Sequence, residues 1–373
     1  MRHLPFRSLI VFLVLSLLVT GCWDHRELED RDLVVTMAID RVKKGLRLSV
    51  QVPITGNVSG SGKAAGGEGG KSVQVFSQEG KTLADAITKL NEEMDKTLFL
   101  GYLGVVLFGE DQARAGIKKP LDMLRRDPYI QRRLYPIVTK GNSEPFLLDG
   151  TEMEQIKTVF LRNMFETGEE AQVTIPFRLH DLLVTLSTPT RGVPILNYIG
   201  LENGKYKWLG VAVFNQDRMV GVLSPDETIP LVQIRERKTG QKVLARCPEG
   251  DGTFQFYPLS SRRHIRITKE PRLRVSVELE GRMVEKTCGD SGKKNEQIHD
   301  LEKQVEQLYE QRAKQLVKKA QKKWKLDIFE FGHYLHAYHH SLYQSLNWSE
   351  QFPKVPIEVK YHVYIRREGT SLN

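Results

Sequence analysis

The sequence reads DLVVTMAID from Asp32 to Asp40 and LRLSVQVPI from Leu46 to Ile54. Both segments are rich in β-branched and apolar residues, a composition typical of strands. Alternate positions of the second segment are apolar: Leu46, Leu48, Val50, Val52 and Ile54. The two segments therefore predict neighbouring strands that begin a sheet.

Beyond this pair the chain predicts a loop and then a mixture of strands and helices. Seven glycines fall between Gly56 and Gly70, among Ser, Lys and Ala, and this composition favours a mobile loop. A strand resumes at Val73. Thr82, with an acidic residue three positions later, is a capping signal for a helix that ends near Lys96.

The next segments predict a βαβ unit in the N-terminal half. Tyr102 to Phe108 and Leu134 to Thr139 read as strands, and Asp111 to about Arg126 reads as the helix between them. Further helices are predicted over Glu152 to Phe165 and Arg178 to Leu186.

The length and the change of pattern predict more than one domain. At 373 residues the chain exceeds a typical single domain, and two prolines and two glycines interrupt Leu186 to Gly200. We place a boundary near Gly204. With a signal segment at residues 1–21 set apart, this boundary separates an N-terminal α/β region (22–203), which could divide into two subdomains, from a C-terminal α+β domain (204–373).

Short strands and one long helix are predicted for the C-terminal domain. Trp208 to Phe214 and Met219 to Leu223 form a hairpin, and a helix covers about Asp226 to Lys238. Strands follow in an antiparallel or mixed sheet: Lys242 to Arg246, Gly252 to Tyr257, His264 to Thr268, Arg272 to Leu279 and Arg282 to Glu285.

The helical pattern from Gly292 to Lys325 is the longest in the chain and would span roughly 45 to 50 Å. Such a helix either lies on its own sheet, which we favour, or extends to a partner. A shorter helix, Asp327 to Leu346, and a final strand, Val355 to Arg366, complete a multi-domain α+β fold with mixed or antiparallel sheets packed against helices.

The N-terminus has the layout of a bacterial lipoprotein signal. Arg2 and Arg7 precede an apolar run of roughly 11 residues, and small residues lead to Cys22; a bilayer-spanning helix needs roughly 20 residues. Cleavage before Cys22 would allow S-diacylglycerol and N-palmitoyl modification of that residue, and two or more acyl chains anchor firmly. An ordinary secretory signal with a chance cysteine is the alternative.

Export constrains the partners and the remaining cysteines. The chain has 55 Lys and Arg against 46 Asp and Glu, a formal charge of +9. Because export excludes nucleic acid as the usual partner, we interpret this charge as attraction to an anionic leaflet or to acidic wall polymer. Cys247 and Cys288 either pair in a disulfide or remain free thiols, and the sequence leaves both open.

Two sequence patterns partly match known ligand-binding motifs. Ala65 to Ser72 (AGGEGGKS) fits a relaxed phosphate loop, but a strand rather than a helix follows it. Glu330, His333, His336 and His340 share one helical face, yet no second ligand helix accompanies them. We find no complete catalytic motif and therefore expect no enzyme, no cofactor and no metal.

The end of the long helix is strongly basic. It carries six lysines: Lys314, Lys318, Lys319, Lys322, Lys323 and Lys325. We interpret them as a solvated helix face, and contact with phospholipid is the alternative.

The mature N-terminus, GCWDHRELEDRDLVVTMAID, resembles that of the Ger(x)C proteins, the lipoprotein C subunits of spore germinant receptors in endospore-forming Firmicutes. Gly21, Cys22, Trp23 and Asp24 stand in the order typical of that family. Similarity continues in four further segments: Gly109 to Asp127, Gly210 to Ser224, Asp327 to Gly332 and the final strand before Gly369. The segment from His336 to His340 departs from the family pattern, and the glycine-rich loop is longer.

This resemblance implies a non-enzymatic α+β protein with three subdomains. It implies anchoring through Cys22 on the outer face of the spore inner membrane, and assembly with the membrane-spanning A and B subunits to sense nutrients and trigger germination. Two other classes stay open: a lipid-anchored extracytoplasmic solute-binding protein, and an envelope enzyme.

Overall fold

The computed structural model describes residues 30–54, 73–148, 157–188, 190–268, 272–288 and 294–367. Two large sheets and one sheet of two short strands organise this part of the chain. The strands in chain order are β1 Arg31–Leu33, β2 Thr36–Val42, β3 Gly45–Pro53, β4 Val73–Gly80, β5 Thr97–Phe99, β6 Val105–Gly109, β7 Tyr135–Thr139, β8 Ile195–Glu202, β9 Lys205–Asn215, β10 Arg218–Leu223, β11 Val243–Arg246, β12 Thr253–Ile267, β13 Leu273–Lys286 and β14 Ile357–Arg367.

Helices cover the sheets. In chain order they are α1 Leu83–Glu93, α2 Glu110–Ala115, α3 Lys118–Arg126, α4 Pro145–Leu148, α5 Lys157–Glu170, α6 Leu179–Ser187, α7 Pro225–Leu231, α8 Lys294–Lys318, α9 Phe331–Tyr338, α10 His340–Ser345 and α11 Trp348–Gln351. Both α7 and α8 continue into a wider π turn, Val232–Glu236 and Lys319–Trp324 respectively. The predicted α+β class is confirmed.

The first sheet has eight strands in the order β10-β9-β8-β7-β6-β2-β3-β4. Its centre, β2-β6-β7-β8, is parallel, and the flanking pairs are antiparallel. The predicted βαβ unit is confirmed as β6, α2 with α3, and β7. The single helix predicted there is wrong, because Gly116 takes a φ of +124° and ends α2 before α3 begins.

The sheet continues across the predicted boundary near Gly204. Asn203 and Gly204 both have positive φ, at +50° and +71°, in the two-residue turn that joins β8 to β9. The predicted β9–β10 hairpin forms, but it extends the eight-stranded sheet instead of the C-terminal one.

The second sheet has the order β11-β12-β13-β14 and is mixed, as predicted. β11, β12 and β13 are antiparallel, and β14 lies parallel to β13. The prediction of several short strands is wrong here: β12 and β13 are 15 and 14 residues long. Bulges next to Gln255 and Pro258 shift the register without ending β12.

The long helix α8 lies on its own sheet, which confirms the interpretation that we favoured. Leu301, Val305 and Ala313 are buried, and the rings of Tyr309 on α8 and Tyr361 on β14 stack with centroids 5.2 Å apart. The helix predicted over residues 327–346 is instead two helices, because the backbone at His339 leaves the helical region between α9 and α10. One hydrophobic core joins both sheets.

Candidate functional site

The predicted lipidation residue, Cys22, and the glycine-rich stretch with Ala65 to Ser72 lie outside the described residues. The described chain resumes at Val73, the first residue of strand β4. A phosphate loop requires a helix at this point, so the strand agrees with our argument against one.

Cys247 and Cys288 form a disulfide in the structure, with Cα atoms 5.7 Å apart. The bond joins the loop after β11 to the residues that follow β13. Two backbone hydrogen bonds hold the same region, from the Cys247 amide to the Gly252 carbonyl and from the Thr287 amide to the Thr253 carbonyl, both 2.9 Å. The disulfide therefore closes one end of the C-terminal sheet.

The histidine cluster is divided between α9 and α10. His336 and His340 lie edge to face, with ring centroids 5.1 Å apart, and Tyr343 packs on His336 at the same distance. Glu330, the fourth predicted member, pairs with Arg235 at 2.8 Å. Within the part of the chain that the structure describes, no three His, Cys, Asp or Glu side chains converge as metal ligands.

The lysines at the end of the long helix do not act as one group. Lys319 turns inward, where its Nζ donates to both carboxylate oxygens of Glu227 at 2.7 and 2.9 Å and to the Val222 carbonyl at 3.2 Å. The other five lysines are exposed: Lys314, Lys318, Lys322, Lys323 and Lys325. Lys319 is therefore not part of the predicted solvated face; it links the end of the long helix to Glu227 and Val222.

Asp40, at the end of the first predicted strand, has a buried carboxylate that holds a neighbouring loop in place. It accepts hydrogen bonds from the amides of Ser143 at 2.7 Å and Glu144 at 3.0 Å. Burial raises the pKa of Asp40, and these hydrogen bonds partly offset that effect. A side chain at Gly109 would place its Cβ 2.0 Å from Asp40 Oδ1, so glycine is required there.

Asp327 has a similar role in the DIFEFG segment. Its carboxylate accepts hydrogen bonds from the Gly332 amide at 2.7 Å, the Phe329 amide at 3.2 Å and Trp348 Nε1 at 2.9 Å. Burial raises the pKa of Asp327, and these hydrogen bonds partly offset that effect. The segments that resemble the Ger(x)C pattern thus supply acids that hold turns in place.

Two adjoining clefts, of about 1010 and 1110 Å³, lie at the carboxyl ends of β2 and β6. They share Arg41, Lys43 and Arg218, and we call them together the basic cleft. Its walls carry nine basic side chains: Arg41, Lys43, Arg47, Lys81, Arg114, Lys118, Lys119, Arg126 and Arg218. Five acids also line it: Glu79, Asp111, Asp122, Asp127 and Asp217.

Some of these charges are already paired. Arg47 contacts Glu79 at 2.8 Å, and Arg126 contacts Asp122 at 2.8 Å. Basic side chains still outnumber acids, so the basic cleft suits an anionic group or an acidic polypeptide segment. Sequence reasoning missed this site because its residues come from separate segments; the only signal was the overall positive charge.

Among the described residues, no helix is long and apolar enough to cross a membrane. The sequence also matches known families over nearly its whole length. Residues 24–201 match the family described as spore germination protein N-terminal domain, and residues 209–369 match the one described as spore germination B3/GerAC-like, C-terminal.

Individual relatives and one solved structure agree with these matches. Spore germination protein YndF of Bacillus subtilis (strain 168) is 25% identical over 403 residues, covering 99% of this chain and 98% of that protein. Spore germination protein KC of the same organism is 26% identical over 408 residues, covering 98% and 96%. The crystal structure of the GerBC protein has the same fold, with a TM-score of 0.59 at 19% identity over 88% of this chain and 96% of that chain.

Proposed function

Because the chain belongs to the GerAC family of spore germination proteins, we propose that it is the lipid-anchored C subunit of a nutrient germinant receptor. The observation that carries the proposal is the ordered match of both family models, over residues 24–201 and 209–369. Full-length similarity to spore germination protein KC supports the same role.

The anchor is the lipid on Cys22. The N-terminal family match begins at residue 24, close behind Cys22, as expected for a mature protein that starts at this cysteine. Two or more acyl chains would hold the protein on the outer face of the spore inner membrane. This confinement raises its effective concentration near the two membrane-spanning subunits, A and B.

Cys22→Ala tests the anchor. We expect the variant to fold, to lose labelling by radioactive palmitate and to move from the membrane fraction to the soluble fraction, because acyl chains supply the membrane affinity. Trp23→Phe is the matched control, since it changes the neighbouring residue, leaves the proposed acceptor in place and should keep the label. A Cys22→Ala chain that stays in the membrane fraction and supports a normal germination response would contradict the anchor.

Nutrient-triggered germination of spores that lack the gene tests the receptor role. We expect spores to lose the response to particular nutrients, scored by refractility, while a cationic surfactant still triggers germination. Normal responses to every nutrient in a strain without other GerAC-family genes would contradict the role. Calorimetry of the isolated chain with amino acids, sugars and nucleosides would then test the solute-binding alternative.

The disulfide between Cys247 and Cys288 forms part of the same proposal, since an exported protein meets oxidising conditions. We expect Cys247 and Cys288 of the exported protein to give no free thiol when titrated under denaturing, non-reducing conditions. The disulfide joins residues 41 positions apart and restricts the unfolded chain, which contributes about 4 kcal/mol to the free energy of unfolding. Two free thiols at these positions would contradict the bond.

The role is non-enzymatic. In the described residues the carboxylates of Asp40, Glu227 and Asp327 are engaged by backbone amides or by lysine, which fits structural use. The basic cleft offers binding without a nucleophile paired to a base.

A further inference from the structure

Three aromatic side chains form an exposed group beside the first described strand. Phe99 contacts Tyr129 at a ring-centroid distance of 5.3 Å and Tyr102 at 6.2 Å. Tyr102 is 50% exposed and Tyr129 is 59% exposed. The guanidinium of Arg31 lies over the Phe99 ring, 4.7 Å from its centroid. We call Phe99, Tyr102 and Tyr129 the aromatic patch.

The backbone holds this patch in place from several sides. β1 pairs with β5, which puts Leu33 opposite Phe99, and the Val34 amide donates to the Phe99 carbonyl at 3.0 Å. Gln131 Nε2 donates to the Gly101 carbonyl, also at 3.0 Å. The loops that carry the two tyrosines are therefore tied to each other and to the sheet, so the rings are presented in a fixed arrangement.

The patch lies close to the proposed lipid anchor along the chain. Cys22 precedes Arg31 by nine residues, and nine residues span at most about 32 Å when fully extended. A chain tethered through Cys22 must therefore keep β1, and the aromatic patch beside it, within about 32 Å of the bilayer surface.

We propose that the aromatic patch is the surface through which this protein contacts the phospholipid bilayer. The inference rests on the proposed lipid anchor and adds the orientation of the folded chain on the membrane. Tyrosine suits the headgroup region because its ring is apolar and its hydroxyl is polar. Arg31, whose guanidinium lies over the Phe99 ring at the rim of the patch, adds a positive charge that attracts lipid phosphates.

This orientation places the basic cleft away from the membrane. β2 begins near the patch and runs seven residues, or about 20 Å, to the end where Arg41 lines the cleft. The tether and the patch hold one end of the central strands at the bilayer. The basic cleft at the opposite end stays open to a partner that stands above the surface.

Quenching of tryptophan by brominated phospholipids tests the proposal. The chain from Cys22 onward is coupled through its Cys22 thiol to maleimide-headgroup lipids in vesicles that contain brominated phosphatidylglycerol. Reporters are Tyr102→Trp and Tyr129→Trp. The reporters and the control all carry Trp23→Phe, which removes the tryptophan next to the tether, and the signal of the Trp23→Phe chain with its remaining Trp208, Trp324 and Trp348 is subtracted from each. Lys44→Trp, in the exposed turn at the far end of β2, is the matched control.

We expect at least about threefold more quenching at the two patch reporters than at Lys44→Trp, because the sites lie about 20 Å apart along β2. Equal quenching at all three sites, or more at Lys44→Trp, would overturn the proposal. Since the tether in this experiment is chemical, that result counts against the patch alone. Absence of palmitate labelling on Cys22 in cells would count against the proposed anchor alone.

Discussion

At the scale of single residues, Glu227 joins two distant parts of the chain. Its carboxylate caps α7 by accepting from the Ser224 amide at 3.0 Å, and it also binds Lys319 at the end of the long helix at 2.7 Å. Burial opposes the ionisation of Glu227, but hydrogen bonds from Lys319 and Ser224 outweigh it and lower the pKa below the ordinary value of 4.5.

Glu227→Gln should therefore lower the free energy of unfolding in a pH-dependent way. A carboxyl whose pKa is lower in the folded than in the unfolded chain stabilises the fold above its unfolded pKa, and this stabilisation is lost as the pH falls through the folded pKa. We expect a loss of about 1 kcal/mol at pH 7, because the side chain is partly exposed to solvent. The difference between variant and parent should shrink as the pH falls below 4.5.

Urea unfolding at pH 7 and at pH 4 measures this difference. Glu202→Gln is the control, since it breaks an ion pair with Lys207 in which both side chains are more than half exposed, and should cost less than about 0.5 kcal/mol. If Glu227→Gln lowers the free energy of unfolding by the same amount at both pH values, the prediction that ionised Glu227 stabilises the fold is contradicted.

At the scale of elements, α8 closes the outer edge of the C-terminal sheet. Three glutamates at four-residue spacing accept hydrogen bonds from the outward amides of β14. The pairs are Glu302 with Ile365 at 2.8 Å, Glu306 with Val363 at 2.9 Å, and Glu310 with Tyr361 at 3.3 Å. The unpaired amides of an edge strand can form hydrogen bonds with a strand of another chain. These three carboxylates already accept hydrogen bonds from the amides that such a strand would use.

Replacing all three glutamates with alanine should expose this edge. We expect an unfolding free energy lower by about 3 kcal/mol, because each buried amide that loses its acceptor costs about 1 kcal/mol or more. Self-association, measured by light scattering after size exclusion, should rise with concentration. The matched control replaces the same residues with glutamine, which keeps an acceptor oxygen at each position; equal association of the two triple variants would contradict the edge role.

At the scale of the whole molecule, Arg235 connects the two sequence halves. Its side chain is 4% exposed and its Nη2 contacts Glu330 at 2.8 Å. The Nη1 group donates to the carbonyls of Val193 at 3.2 Å and Ile328 at 3.3 Å. One buried guanidinium thus ties a loop before β8 to the turn before α9, and the shared core makes the two sheets one packed body.

Arg235→Met should weaken this connection strongly. We expect a loss of about 3 kcal/mol, because the partly buried carboxylate of Glu330 and two carbonyls lose a donor that is itself buried. Urea unfolding followed by tryptophan fluorescence and by circular dichroism measures the loss, and the two probes should coincide for the parent chain. Exposed Arg246→Met is the control, and an Arg235→Met loss below about 1 kcal/mol would contradict the coupling.

Features that depend on residues close together in the chain could be predicted from the sequence. Thr82 caps α1 through the Asp85 amide at 3.1 Å, as its spacing predicts. The long helix, the hairpin after Gly204 and the inward face of the last strand follow from apolar periodicity. The residues around Cys22 pointed to the family, because a lipidation signal is read from a short linear stretch.

Contacts between distant segments could not be predicted from the sequence, because they depend on tertiary packing. The basic cleft draws Arg41, Lys81 and Arg218 from separate elements, and no local pattern links them. Just after Gly116, the Ile117 amide donates to the Asp217 carbonyl at 2.9 Å and the Lys118 amide donates to the Asp217 carboxylate at 3.2 Å, so the start of α3 is held by a distant segment. Sheet order, edge closure by α8 and the position of the aromatic patch have the same origin, because long-range packing overrides local propensity when it buries more apolar surface.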